Sequence, residues 1–174
     1  MNITVLRLGH RPQRDKRLST HLILCARALG AKKVVYSGNR DPRLEEGITD
    51  IVERWGGEFS LEYEGNWRMV VNEWGANIVH LTMYGVPVEE TTPTIDEEDK
   101  PLLVVVGGPK VPRDMYEKAT WNISVTNQPH SEVSALAIFM YLLQGDKALK
   151  HDFPGASINI KPSEHGKDVE VSKD

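Results

Sequence analysis

The chain has 174 residues, enough for one domain with a buried core, and its 40% hydrophobic and 26% charged residues are typical of a globular protein. No apolar run approaches the roughly 18 to 20 residues needed to cross a bilayer, and the single cysteine excludes an intrachain disulfide. We therefore expect no secretory leader and no membrane contact, and we expect a cytoplasmic protein.

The net charge of −4 is distributed unevenly along the chain. Residues 7–17 contain five cations and one carboxylate, Asp15, whereas 86–100 contain six carboxylates and one lysine. The acidic stretch indicates a solvated loop. A cluster of cations in one segment is typical of a site for RNA phosphates, because each contact releases condensed counterions. A salt-bridged surface is the alternative explanation.

The N-terminal segment predicts a strand, a loop and a helix. Residues 3–8 form an apolar run that is typical of a buried strand, and the basic loop 9–16 follows it. Apolar residues then recur at helical spacing over 18–29, which predicts a helix of about three turns. Asp15 or Ser19 is available as its N-cap.

Strands and helices continue to alternate as far as residue 145. The predicted strands cover 33–36, 59–63, 77–81, 102–106 and 122–125. Two predicted helices follow Asp41 and Asn66, and a long final helix carries Val133 and ends near Gly145. The unbroken apolar run 102–106 indicates a strand that helices cover on both faces. Regular alternation with short connections predicts an α/β fold with a mostly parallel sheet flanked by helices.

The end of the sequence has a different pattern. Residues 157–161 and 169–172 flank a turn-rich stretch, which predicts an appended β-hairpin. We therefore divide the chain into a domain over 1–150 and a hairpin extension over 151–174.

Four polar segments follow predicted strands, and they cover 9–17, 81–85, 107–112 and 126–132. In open parallel sheets, ligands bind beyond the carboxyl ends of the strands, so these segments form the candidate site. The P-loop and dinucleotide patterns are absent, which excludes those nucleotide sites. The turn after the first strand also lacks the glycines of a Rossmann-type methyltransferase.

Two of these segments suit a ligand, although each has a simpler explanation. Gly107-Gly108 lets the backbone approach a ligand closely, but a plain turn would also use glycine. Residues 126–132 offer free N–H groups at the start of the last helix. Capping of that helix by Ser131 or Asn127 explains only part of this polar run.

Metal and thiol chemistry have little support in the sequence. The six histidines show no metal-binding spacing, so we predict no metal site. Cys25 lies on the apolar face of the first predicted helix, which indicates a core residue. The four tryptophans are also expected in the core, although an exposed one could stack on a base.

Three motifs occur in order along the chain: His10-Arg-Pro-x-Arg-Asp-x-Arg-x-x-Thr-His21, Gly107-Gly-Pro-Lys-Val-Pro112 and Asn122-x-Ser-Val-x-Asn-Gln-Pro-His-Ser-Glu-Val133. Together they closely resemble the archaeal tRNA (cytidine(56)-2′-O)-methyltransferases, a branch of the SPOUT methyltransferases. The resemblance spans nearly the whole chain, and three such motifs in order are highly specific.

The resemblance implies a C-terminal trefoil knot, a homodimer and S-adenosylmethionine as methyl donor. It also implies that the substrate is the ribose 2′-hydroxyl of tRNA cytidine 56. The implied cofactor-binding residues are Leu81, Thr82, Gly107, Gly108, Pro109, Lys110, Val111, Val125, Thr126, Asn127, Gln128, Pro129, His130, Ser131 and Glu132.

The resemblance leaves the catalytic arginine open. Better-known ribose methyltransferases of the class carry an arginine within the first helix, but this chain has Leu24 near that place. We expect Arg14 or Arg17 to stabilise the alkoxide that develops on the ribose. His21 lies one helical turn from Arg17, and we expect it to accept the proton of the ribose hydroxyl. The expected substrate-binding residues are Arg7, His10, Arg11 and Lys16.

Two alternative functions remain open at this point. A SPOUT methyltransferase that acts on an RNA base would share these motifs. A noncatalytic RNA-binding module would explain the basic segment but not the glycine turn or the polar entry to the last helix.

Overall fold

The computed structural model describes residues 1–98, 100–108 and 110–172. A six-stranded sheet has the order β3-β2-β1-β5-β4-β6, and every neighbouring pair is parallel, as predicted. Its strands are β1 (Ile3–His10), β2 (Lys33–Gly38), β3 (Ser60–Tyr63), β4 (Asn77–Pro87), β5 (Leu102–Val106) and β6 (Trp121–Ser124). The helices are α1 (Pro12–Ala28), α2 (Pro42–Trp55), α3 (Trp67–Glu73), α4 (Val88–Glu98), α5 (Arg113–Lys118) and α6 (Glu132–Gln144).

The sheet lies between two layers of helices. Helices α1, α2, α4 and α6 cover one face with a large apolar core, and α3 and α5 cover the other face with a smaller one. Strand β5 is buried along its whole length, which confirms that it is covered on both faces. Within the described ranges, no helix is long and apolar enough to cross a membrane.

The predicted C-terminal hairpin is present as antiparallel strands β7 (Ile158–Lys161) and β8 (Asp168–Val171). A 3₁₀ helix (Gly145–Leu149) follows α6, and the chain between it and β7 crosses the ends of α1 and α2. The Gly57 amide donates to the Pro154 carbonyl at 2.8 Å, and the guanidinium of Arg27 lies 4.5 Å from the centre of the Phe153 ring. These contacts anchor the base of the hairpin to the helical layer.

The structure corrects the basic loop expected over 9–16. Strand β1 continues to His10 and α1 begins at Pro12, because proline has no amide hydrogen to lose and its φ suits the first helical position. Asp15 and Ser19 therefore lie inside the helix and are buried, and Arg11 occupies the N-cap position.

Two further loop predictions are wrong. Residues 81–85 belong to β4, which runs on to Pro87. Much of the acidic stretch 86–100 is α4, because Val88 and Ile95, two helical turns apart, both pack into the core. Helix α5, which follows the glycine turn, was not predicted.

Candidate active site

A cavity of about 460 Å³ opens at the carboxyl edge of the sheet, where β4 and β5 meet the start of α6. This volume lies within the range of about 300 to 1,000 Å³ that is typical of small-molecule sites. The lining residues are His80, Leu81, Thr82, Met83, Tyr84, Val106, Gly107, Gly108, Val111, Tyr116, Pro129, His130, Glu132 and Ala135.

The glycine turn after β5 forms one wall of the cavity. A Cβ on Gly107 would lie 2.3 Å from Cγ2 of Val111, so any larger residue here would force the Val111 side chain to move. A Cβ on Gly108 would meet nothing closer than Oε1 of Glu132, at 3.7 Å. The backbone at Gly108 therefore faces open space beside a carboxylate.

A bulge in β4 forms the opposite wall. The register between β4 and β6 shifts between Leu81 and Val86, and the side-chain amide of Asn127 donates to the Met83 carbonyl at 2.7 Å. A Cβ on Gly85 would lie 2.5 Å from the Asn122 carbonyl oxygen, so glycine is required where the bulge meets β6. The bulge is therefore fixed by close backbone packing.

A buried, neutral histidine lies at the base of the cavity. The Asn122 amide donates to the Tyr116 carbonyl at 2.9 Å, so its oxygen faces Nδ1 of His80, also at 2.9 Å. This arrangement assigns the proton to Nδ1 and leaves Nε2 as an acceptor that has no partner among the described residues. Burial lowers the pKa of His80, which favours the neutral ring.

An ion pair joins a buried arginine to a carboxylate that lines the cavity. The Arg7 guanidinium is 1% exposed, donates to the Leu8 carbonyl at 2.7 Å and lies 3.9 Å from the Glu132 carboxylate. Burial lowers the pKa of Arg7, and the charge of Glu132 partly opposes this shift. Glu132 lines the cavity and is 21% exposed, so its carboxylate can meet a cationic ligand, although Arg7 behind it offsets part of the charge.

Three basic side chains of α1 form a separate, solvent-facing stripe. Arg14, Arg17 and His21 are exposed and, at spacings of three and four residues, share one face of the helix. Cations near a helix N-terminus oppose the helix dipole, so helix stability does not explain them. None of the three lines the cavity.

The structure does not support direct RNA contact for two of the predicted substrate-binding residues. Arg7 and His10 are buried, and His10 lies 2.8 Å from Ser19 Oγ and 3.3 Å from the Asp41 carboxylate. Arg11 is exposed but already makes two hydrogen bonds to Asp15, at 2.9 and 3.2 Å. The Lys16 side chain lies outside the described part of the structure.

The predicted cofactor segments converge, but not with every residue. Leu81, Thr82, Gly107, Gly108, Val111, Pro129, His130 and Glu132 line the cavity. Lys110, Val125, Thr126, Asn127, Gln128 and Ser131 do not, and Pro109 lies outside the described residues. Ser131 caps α6 by accepting from the Ser134 amide at 3.1 Å, which is the simpler role considered for it.

Sequence reasoning missed four lining residues, which are His80, Val106, Tyr116 and Ala135. Met83 and Tyr84 lie in the predicted segment 81–85 but were not assigned to the cofactor. His80 and Val106 precede the predicted segments, so the strand ends were the available signal. Tyr116 gave no signal because α5 was not predicted. In the described part of the chain, no group of three His, Cys, Asp or Glu side chains is placed to hold a metal ion.

The chain is similar to known RNA methyltransferases. Residues 55–170 match a family described as tRNA ribose 2′-O-methyltransferase. The chain is 49% identical to the tRNA (cytidine(56)-2′-O)-methyltransferase of Methanothermobacter thermautotrophicus, over 96% of this chain and 95% of that protein.

Two solved structures share the fold at low sequence identity. An RNA 2′-O ribose methyltransferase has a TM-score of 0.63 at 15% identity, over 84% of this chain and 57% of that one. An AdoMet-bound rRNA methyltransferase from Sinorhizobium meliloti has a TM-score of 0.58 at 15% identity, over 82% of this chain and 56% of that one. The chain thus spans little more than half the length of these two proteins.

Proposed function

The chain belongs to the family of tRNA ribose 2′-O-methyltransferases, and on this premise we propose how its residues divide the reaction. The protein transfers a methyl group from S-adenosylmethionine to the ribose 2′-hydroxyl of tRNA cytidine 56. The observation that carries this function is the similarity, over nearly the full length of the chain, to relatives that are named for this activity. The cavity at the carboxyl edge of the sheet agrees with it.

The cavity residues fit the methyl donor. Leu81, Val106 and Ala135 offer apolar surface to an adenine ring, and Gly108 leaves its backbone open to a ligand. The Glu132 carboxylate complements a cationic group. When bound, S-adenosylmethionine supplies a methyl group on a positively charged sulfur that an oxygen nucleophile can displace.

The exposed stripe on α1 acts on the acceptor. Arg14 or Arg17 stabilises the negative charge that develops on the ribose oxygen, since a guanidinium stays protonated and donates several hydrogen bonds. His21 takes up the hydroxyl proton, and the other arginine holds a neighbouring phosphate. Arg11 is a weaker phosphate ligand because Asp15 already binds its guanidinium.

The active unit is a homodimer that forms on the face made by α1 and α6, which pack side by side. Ile138, Tyr141 and Leu142 of α6 are each between 41% and 46% exposed, and together they form an apolar patch. Such patches are rare on monomers and common at interfaces. A dimer on this face would bring the arginine stripe of α1 close to the interface.

Three further properties complete the proposal. The domain over 1–150 forms a trefoil knot, which the resemblance implies. The extension over 151–174 is an accessory hairpin. The protein works in the cytoplasm, where its tRNA substrate is found.

Labelled methyl transfer to unmodified tRNA, followed by nucleoside mapping, tests the function directly. The expected product is 2′-O-methylcytidine at position 56. A methyl group on a base would indicate the base-directed alternative. Saturable RNA binding without heat from S-adenosylmethionine in calorimetry would indicate a noncatalytic module.

A further inference from the structure

We propose that Tyr84 is a stacking platform for the base of the nucleotide whose ribose is methylated. The proposal depends on the ribose methylation described above. It adds a specificity residue that lies on β4, apart from the arginine stripe of α1.

The first support is that the bulge aims the Tyr84 side chain. Residues 82–85 run beyond the end of β5, whose pairing with β4 ends at Leu81 and Val106. The Tyr84 amide lies 3.4 Å from Thr82 Oγ1, and Asn127 fixes the carbonyl of the preceding residue, Met83. Bulges beside active sites commonly re-aim a side chain, and this one turns Tyr84 outward.

The second support is the exposure of the ring. Tyr84 lines the cavity yet is 77% exposed, which is the largest exposed fraction among the bulky hydrophobic side chains in the described ranges. By contrast, all four tryptophans are half-buried. Tyr84 therefore stands at the rim of the cavity, where it meets whatever approaches from solvent.

The third support is the geometry of the substrate. A 2′-hydroxyl can reach a donor in the cavity only if its own base lies beside the rim, because base and hydroxyl sit on adjacent carbons of one ribose. A base that leaves its neighbours in the tRNA loses stacking. Proteins that recognise unpaired RNA bases commonly restore it with tyrosine or another aromatic ring.

Two other occupants fit the ring less well. A cofactor inside the cavity would have most of its surface covered, and a ring that is three-quarters in solvent covers little of it. A second copy of the chain has the apolar patch of α6 available, and Tyr84 is not part of that helix. The observations therefore favour the acceptor base.

The test combines a protein change with an RNA change. Tyr84→Leu keeps an apolar side chain but removes the aromatic face, and Tyr84→Phe is the matched control that keeps this face. The second substrate is the same tRNA with an abasic ribose at the target position. Methyl transfer is measured at varied RNA concentration, and affinity for S-adenosylmethionine is measured by calorimetry.

We expect Tyr84→Leu to raise the KM for intact tRNA by roughly 5- to 100-fold, the range expected for one lost stacking contact. Tyr84→Phe should stay within about twofold of the wild type, and affinity for S-adenosylmethionine should be unchanged in both variants. On the abasic RNA, wild type and Tyr84→Leu should perform alike, because the contact is already gone.

Several results would overturn the assignment. Equal KM values for wild type and Tyr84→Leu on intact tRNA would do so, as would an undiminished effect of Tyr84→Leu on the abasic RNA. Weaker binding of S-adenosylmethionine by Tyr84→Leu would place the ring on the cofactor. A Tyr84→Leu variant that is monomeric where the wild type is dimeric would place the ring in a protein interface. A wild type that forms no 2′-O-methylcytidine would instead refute the proposed function itself.

Discussion

Replacing Glu132 by glutamine should destabilise the protein by leaving the buried Arg7 guanidinium without its counter-charge. The two groups lie 3.9 Å apart. At an effective dielectric constant of about 20, this distance corresponds to about 4 kcal/mol of attraction. Glu132 is 21% exposed, so water screens part of this energy. We expect a loss of about 1 to 3 kcal/mol in the free energy of unfolding, as for other buried charges that lose a partner.

Urea unfolding followed by circular dichroism, at equal chain concentration, measures this loss. The matched control is Glu117→Gln, which breaks an ion pair with Arg113 that is largely exposed and should matter little. The double variant Arg7→Met/Glu132→Gln should recover part of the loss, because no unpaired charge remains in the interior. Equal midpoints for Glu132→Gln and Glu117→Gln would refute the reasoning.

Three further predictions concern catalysis, assembly and pH. Either Arg14→Ala or Arg17→Ala should lower kcat by roughly 100-fold or more with unchanged affinity for S-adenosylmethionine, and full turnover in both would contradict the α1 assignment. Leu142→Glu should yield monomers in light scattering, whereas a dimer of unchanged stability would place the interface elsewhere. Because burial lowers the pKa of His80, the unfolded chain binds protons more readily than the folded one as the pH falls below about 6.5. The melting temperature should therefore decline from pH 7 to pH 5, and it should decline less in His80→Gln. Parallel curves of melting temperature against pH for the two proteins, measured by scanning fluorimetry, would argue against this.

The sheet could be predicted because its apolar runs are unambiguous. Residues 102–106 contain no polar side chain, and the strand they form is buried throughout. The location of the site was also predictable, since it follows from the rule that parallel strands place their carboxyl ends at one edge. The glycine turn and the start of α6 meet there as expected.

One error concerned a charged residue that was expected at the surface but lies in a buried strand. Arg7 was assigned to a surface cluster because of its neighbours in sequence. The period of two in a strand places it on the same face as Ile3 and Val5, both of which are buried, so the pattern carried the correct signal. The bulge in β4 gave no such signal, because it depends on how closely Gly85 approaches β6, a contact between distant segments.

The charges at the site match the two ligands of the reaction. The cavity presents the Glu132 carboxylate, which suits a cationic methyl donor, and α1 presents exposed cations, which suit an anionic RNA. If carboxylates and cations were mixed on one surface, each would weaken the attraction of that surface for the ligand of the other. Buried Arg7 instead pairs with Glu132 and also feels the charges of Asp15 and Arg11 in the first turn of α1. The exposed cations remain concentrated on α1, so a chain of net charge −4 can still attract tRNA to that surface.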